Sequence, residues 1–180
     1  MEKWSTLKKE EMKHGVIFRY RKITRKSPDT GAEGCFDVLS FAHWVNVIAV
    51  TEEGKIVMAR QYRNGTDRVT LELPGGAIDA GEDPKTAAAR ELREESGYTA
   101  SDFKLIGKVE PNPAFQTNYC YTYLALNAKK TEVQELDPCE EIEVLEYSKK
   151  EIDELITSGE INHALIVAAF YYYDNQLKLD

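Results

Sequence analysis

A chain of 180 residues is long enough to bury one substantial core and fits a single domain with at most a small appendage. Its 31 acidic against 23 basic residues give a formal charge of -8, which excludes the broad basic face needed to follow a nucleic-acid backbone. Cys35, Cys120 and Cys139 form no CxxC pair, and no run approaches the ~18 apolar residues of a membrane span, so a cytoplasmic protein without nucleic-acid or membrane partners is expected.

The first residues, Met1 to Gly15, are charged and carry no targeting pattern. Gly15 to Thr24 alternates apolar and polar residues, Cys35 to Phe41 does so loosely, and the polar stretch between them reads as a hairpin loop. This predicts an antiparallel hairpin appendage over residues 1–42 and a main domain over 43–180. Val45 to Val50 and Lys55 to Tyr62, joined by the short turn Thr51 to Gly54, read as a central hairpin. Leu71 to Leu73 then leads into Pro74-Gly75-Gly76. Asp83-Pro84 opens a helix, because Asp can cap orphan amides and Pro fits the first helical position; Ala87 to Ala89 continue it and Gly97 stops it. Phe103 to Glu110, Asn118 to Leu126 and Ile142 to Tyr147 read as strands. Ser148 to Glu151 is a capping-box pattern opening a short helix. A last helix over His163 to Tyr173 carries apolar and aromatic residues suited to a core or a dimer face. The alternation of element types, without internal repeat, predicts a layered α/β domain.

On the helix, Glu91 and Glu95 lie one turn apart on one face with Glu94 beside them. Like charges at this spacing cost an isolated helix roughly 0.2–0.5 kcal/mol per pair, so the strip asks for a counter-charge. Arg90 can pair with Glu94, but one arginine does not neutralise three carboxylates. A hard divalent cation such as Mg2+ takes oxygen ligands and keeps water for exchange. Alone, the run reads first as a solvated face laced with salt bridges. Its surroundings argue otherwise: Gly75-Gly76 lacks side chains and lets a backbone carbonyl reach the same cation, and Glu82 stands where it can hold Arg90.

As a pattern, Gly76, Glu82, Arg90-Glu91-Leu92, Glu94-Glu95 and Gly97-Tyr98 resemble the Nudix box at every one of nine specified positions over 23 residues. The order of strands and helices around the box is also similar to the whole Nudix domain. The resemblance implies an α/β/α sandwich with a mixed central sheet, and attack of water, dependent on Mg2+ or Mn2+, on a phosphorus of a nucleoside diphosphate linked to another group. By the same resemblance the metal ligands are Glu91, Glu95 and the Gly75 carbonyl, with Glu94 as a further ligand or proton acceptor, and Glu82 and Arg90 supporting them. The general base is open between Glu94 and the later acidic stretch Glu140-Glu141, with Glu140 favoured.

Outside the box, Gln61-Tyr62-Arg63, the run Glu72 to Gly76 and Pro113 resemble the branch that hydrolyses ADP-ribose and other nucleoside diphosphate sugars. Arg63 is then a phosphate contact. Trp44, Trp4 and Phe18 are candidates for stacking on a nucleobase, or else core and interface aromatics. Pro113 is followed here by Ala114 and Phe115, with Asn118 where that branch commonly carries an acidic residue, which points to a class of sugars rather than ADP-ribose alone. The branch also implies a homodimer. A housecleaning nucleoside triphosphate pyrophosphatase and a non-catalytic nucleotide-sugar-binding regulator are the alternatives.

Overall fold

The computed structural model describes residues 2–176. The chain divides into two compact units, one formed by residues up to His43 with Glu110–Tyr119, the other by Trp44–Val109 and the residues from Cys120 on.

The first unit is a three-stranded antiparallel sheet, β1 (Ser5–His14), β2 (Phe18–Lys26) and β3 (Glu33–Phe41), in that order. β2 and β3 form the anticipated hairpin. β1 is the addition: all ten of its side chains are exposed, so no apolar periodicity betrays it. Charge complementarity accompanies its backbone pairing, with Glu10 opposite Lys22 and Glu11 opposite Arg21 of the basic β2. Trp4 meets Phe36 edge-on at 5.8 Å, and Phe18 lies 5.9 Å from Phe41. Glu110–Tyr119 joins this sheet through the Leu39 N–H, which donates to the Phe115 carbonyl at 2.8 Å. The expected hairpin appendage is therefore a sheet completed at one side by a later segment of chain.

The second unit contains β4 (Trp44–Thr51), β5 (Ile56–Arg63), β6 (Arg68–Glu72), β7 (Tyr98–Thr99), β8 (Phe103–Val109), β9 (Cys120–Lys130) and β10 (Ile142–Tyr147). The helices are α1 (Pro84–Ser96), α2 (Lys149–Ser158) and α3 (Ala164–Gln176). The sheet runs β10-β5-β4-β9-β7, with β6 on β5 and β8 on β9, and it is mixed because β4 and β9 are parallel. Alternate residues of β4 face opposite layers. Val45, Val47 and Ala49 pack with Ala87, Ala88 and Leu92 of α1, whereas Ile48 packs with Ile152 of α2 and Ile166, Ala169 and Phe170 of α3. This is the α/β/α layering that the resemblance implies.

The expected central hairpin of β4 and β5 closes at a single rung, Val50 opposite Ile56. Beyond it the chain after β6 takes the place beside β4: the Val47 N–H donates to the Pro74 carbonyl and the Val45 N–H to the Gly76 carbonyl, each at 2.9 Å. The two glycines thus become a strip of sheet edge. No helix among the described residues is long and apolar enough to cross a membrane.

Local chemistry fixes the helix ends. Asp83 accepts from the Lys85 and Thr86 amides, Pro84 opens α1, and Gly97 closes it at φ 73°. Ser148 and Glu151 form the reciprocal capping box of α2. Leu92 is fully buried in the layer between α1 and the sheet. Truncation by Leu92→Ala is expected to destabilise the protein by about 2–5 kcal/mol. Urea denaturation would show this as a lower midpoint with an unchanged slope.

Candidate active site

The site forms where the second half of α1 faces the Gly75-Gly76 strip. In the short ladder with β4, Gly76 and Pro74 use their carbonyls on Val45 and Val47. Gly75, opposite Asn46, is the non-hydrogen-bonded position, where N–H and C=O turn away from the partner strand. Its N–H donates to Glu95 Oε2 at 2.8 Å. Gly75 cannot carry a side chain here without moving the β4 backbone, whereas a side chain on Gly76 would displace the Glu91 carboxyl. A Cβ on Gly75 would collide with the Val45 carbonyl oxygen and approach Asn46 Cα at 2.8 Å, and one on Gly76 would lie 2.7 Å from the Glu91 carboxyl.

Arg90 organises the acidic side chains. It donates from Nε and Nη2 to the two Glu82 oxygens, each at 3.0 Å, a bidentate pair. Its Nη1 reaches Glu91 at 2.8 Å and Glu94 at 3.1 Å, and Nη2 also donates to the Ala77 carbonyl at 3.1 Å. Glu82 accepts in addition from the Asp79 N–H at 3.0 Å, which pins the loop before α1. The Arg90 hydrogen bonds hold the Glu82 carboxyl below its usual range. The second oxygen of Glu94 accepts from Arg93 at 2.9 Å, so both of its oxygens are held by arginines.

Glu95 is different. It is 5 % exposed, and burial pushes its carboxyl up to about 8, against the Gly75 hydrogen bond, with the charges of Glu91 and Glu140 adding to the rise. Burial likewise raises Glu91, opposed by Arg90 and reinforced by Glu94 and Glu140. Glu95 is therefore a buried oxygen donor with no ion pair among the described residues, and the half-buried Glu91 shares its one arginine with Glu82 and Glu94. That is the donor chemistry a hard divalent cation takes. Among the described residues no three acidic, His or Cys side chains close around one point. Arg90 draws Glu91 and Glu94 towards itself, so an ion here would draw on a backbone carbonyl and water as well as side chains.

Of the residues singled out from sequence, the structure brings together Gly75, Glu82, Arg90, Glu91, Glu94 and Glu95. Arg63, at the end of β5, donates from Nε and Nη2 to Glu72 at 3.0 and 2.8 Å, and its charge acts on Glu95 and Glu140. Glu140 lies in an exposed turn with its carboxylate accepting from the Asp137 N–H at 3.2 Å, yet its charge acts on both Glu91 and Glu95. Glu141 is exposed beside it. Trp44 is half-buried at the start of β4, bridged to Ala77. Trp4, Phe18 and the exposed Pro113 belong to the first unit.

Sequence reading missed the part played by Glu72. Its side chain is 4 % exposed and accepts the Arg63 fork and the Thr70 hydroxyl, the latter at 2.6 Å. Burial works to raise its carboxyl, but these hydrogen bonds outweigh burial and keep it below the usual range. The signal was a Glu among apolar residues at the end of a strand, whose partner only the strand register reveals.

The family model described as NUDIX domain matches residues 42–170, and the chain belongs to the Nudix family. It is a Nudix hydrolase, of a family that generally uses divalent metal. The chain is 38% identical over 135 residues to the ADP-ribose pyrophosphatase of Bacillus subtilis (strain 168), covering 74% of this chain and 72% of that protein. Over 175 residues it is 30% identical to the Methanol dehydrogenase activator of Bacillus methanolicus, covering 97% of this chain and 94% of the relative. Its fold matches the crystal structure of an ADP compounds hydrolase with a TM-score of 0.86 over 99% of this chain and 96% of that one, at 21% identity.

The raised Glu95 carboxyl predicts a pH dependence of metal-free stability. A carboxyl lifted from 4.5 to about 8 binds its proton more tightly folded than unfolded. Its contribution is fully present below the ordinary value and is lost as pH rises through about 8. In EDTA, wild type should lose stability relative to Glu95→Gln between those limits, and the difference should level off above them. Urea midpoints measured across the range check this; parallel profiles would mean that Glu95 ionises normally.

Proposed function

We propose that this Nudix hydrolase cleaves the diphosphate bond of nucleoside diphosphate sugars, ADP-ribose among them, to a nucleoside monophosphate and a sugar phosphate. The observation that carries the reading is Glu95, buried on the Gly75 N–H, with the half-buried Glu91 one turn before it facing the backbone of Gly76. Glu91, Glu95 and the Gly75 carbonyl would hold Mg2+ or Mn2+, with Glu94 as a further ligand. When bound, the cation offsets negative charge developing on the phosphate oxygens and acidifies water. Glu82 and Arg90 hold the carboxylates in register. Arg63, oriented by Glu72, donates to phosphate oxygens.

Glu140 is the general base of this reading and takes the proton of the attacking water. Its support is electrostatic: its charge acts on Glu91 and Glu95, whereas both oxygens of Glu94 are committed to Arg90 and Arg93. The nucleoside diphosphate sugar class draws support from the relative named ADP-ribose pyrophosphatase, matched over 74% of the chain. One observation favours a second reading: the relative matched over 97% of the chain is named Methanol dehydrogenase activator. In that reading the same fold serves to regulate a partner enzyme.

The test is Mg2+-dependent turnover of ADP-ribose, other nucleoside diphosphate sugars and nucleoside triphosphates, with products identified by mass. A nucleoside monophosphate plus a sugar phosphate is the expected outcome. Turnover of triphosphates alone would transfer the assignment to a housecleaning pyrophosphatase, and binding without turnover would favour the regulator. For the base, Glu140→Gln should lower kcat by about 100-fold or more while substrate binding changes little. Near-normal kcat would return the role to Glu94 or Glu141.

A further inference from the structure

Gln61 is a buried amide whose side-chain donor is left unpaired. It is 8 % exposed on β5, and its Nε2 is shielded from solvent without a hydrogen-bond partner among the described residues. Alternate strand side chains share a face. Val57 of β5 packs in the α1 layer and the Arg63 charge acts on Glu95, so Gln61, at the same parity between them, is turned to the α1 side.

The ladder defines its surroundings. Gln61 pairs with Thr70 of β6 on one side and Ile142 of β10 on the other. Arg63 stands opposite Arg68, and Glu72 stands opposite Ala59, so the Arg63 side chain reaches Glu72 by passing over the Gln61–Thr70 rung. On the β10 side, Gln134 Nε2 donates to the Glu95 carbonyl at 2.7 Å and the Ile142 carbonyl at 3.0 Å, tying the Gln61 rung to the last turn of α1. Gln61 therefore lies between the Arg63 fork and the Glu95 end of the carboxylate cluster.

The Glu72 oxygens take Arg63 and Thr70, and Glu95 Oε2 takes the Gly75 N–H. A buried donor left without an acceptor is destabilising. Beside a fixed guanidinium, this amide completes a set of donors suited to an anionic oxygen.

We propose that Gln61 is a further substrate-binding residue, whose side-chain N–H2 donates to a non-bridging phosphate oxygen of the bound diphosphate next to Arg63. This rests on the hydrolase reading above. Gln61 does no proton transfer; it holds the diphosphate.

Gln61→Met keeps length and shape and removes the donor; Gln61→Glu replaces donor by negative charge. The probe is the non-hydrolysable α,β-methylene analogue of ADP-ribose with Mg2+, titrated by calorimetry, alongside KM, kcat and melting temperature. Loss of one hydrogen bond to a charged group is expected to weaken analogue binding and raise KM about tenfold in the Met variant, with kcat little changed. Its melting temperature should be unchanged or higher, because the unpaired buried donor is gone. The Glu variant should bind more weakly still. Analogue binding by the Met variant equal to wild type overturns the proposal, as does a fall in binding that merely follows a fall in melting temperature. Wild type that neither binds the analogue nor turns over any nucleoside diphosphate sugar overturns the function reading itself. If wild type hydrolyses triphosphates instead, the same comparison with α,β-methylene ATP decides the role of Gln61 separately.

Discussion

Two residues without side chains set how closely backbone and carboxylates approach in this site. Gly75 and Gly76 sit in the ladder beside β4, with Val45 and Val47 bonded to the carbonyls on either side of Gly75. A Cβ on Gly76 would lie 2.7 Å from the Glu91 carboxyl, and one on Gly75 would strike the β4 backbone. The sheet edge and α1 therefore meet with nothing between them but main chain and carboxylates. Glu91 and Glu95, one turn apart, face the same strip, and the Gly75 N–H fixes the orientation of Glu95. Every other feature of the cluster is arranged around that approach.

Charge is divided unequally across the cluster. Arg90 is spent on Glu82, Glu91 and Glu94, and Arg93 takes the other Glu94 oxygen. Glu95 receives a backbone N–H and only the more distant charge of Arg63, while its burial works against ionisation. A buried carboxylate without a paired cation is among the least favourable arrangements in a protein interior. Under the proposed function, this imbalance would let a chain of charge -8 take an anionic substrate, with the positive charge supplied by a bound cation.

Legibility in the sequence followed range along the chain. The Asp83 cap, the Gly97 stop and the one-turn spacing of Glu91 and Glu95 are set by neighbours within a few residues, and they could be read directly. So could the layered α/β class. β1 was not legible, because ten exposed side chains leave no apolar period, and its complement lies in the charges of β2. The β4–β5 hairpin was read from a turn, but the turn fixes only its closing rung, and the strip at Gly75-Gly76 takes over beyond it. Glu72 and Gln61 needed strand register to acquire partners or to be seen lacking one.

The polar rungs of β5 and β6 bear on what this part of the fold is for. Arg63, Glu72, Thr70 and Gln61 share one face of an antiparallel pair, with Glu72 and Gln61 buried. Glu72 is buried but the Arg63 side chain is 46 % exposed, and an ion pair so open to solvent contributes little to stability. An unpaired amide beside it adds a cost. What the arrangement supplies instead is orientation: two guanidinium nitrogens committed to Glu72 leave Arg63 a fixed fork rather than a mobile surface cation. Rigid donors aimed at one region lower the reorganisation needed when an anion binds, and that gain is worth most where water is largely excluded. The placement of these residues is better explained by a bound anion beside Glu95 than by the folding of β5 and β6.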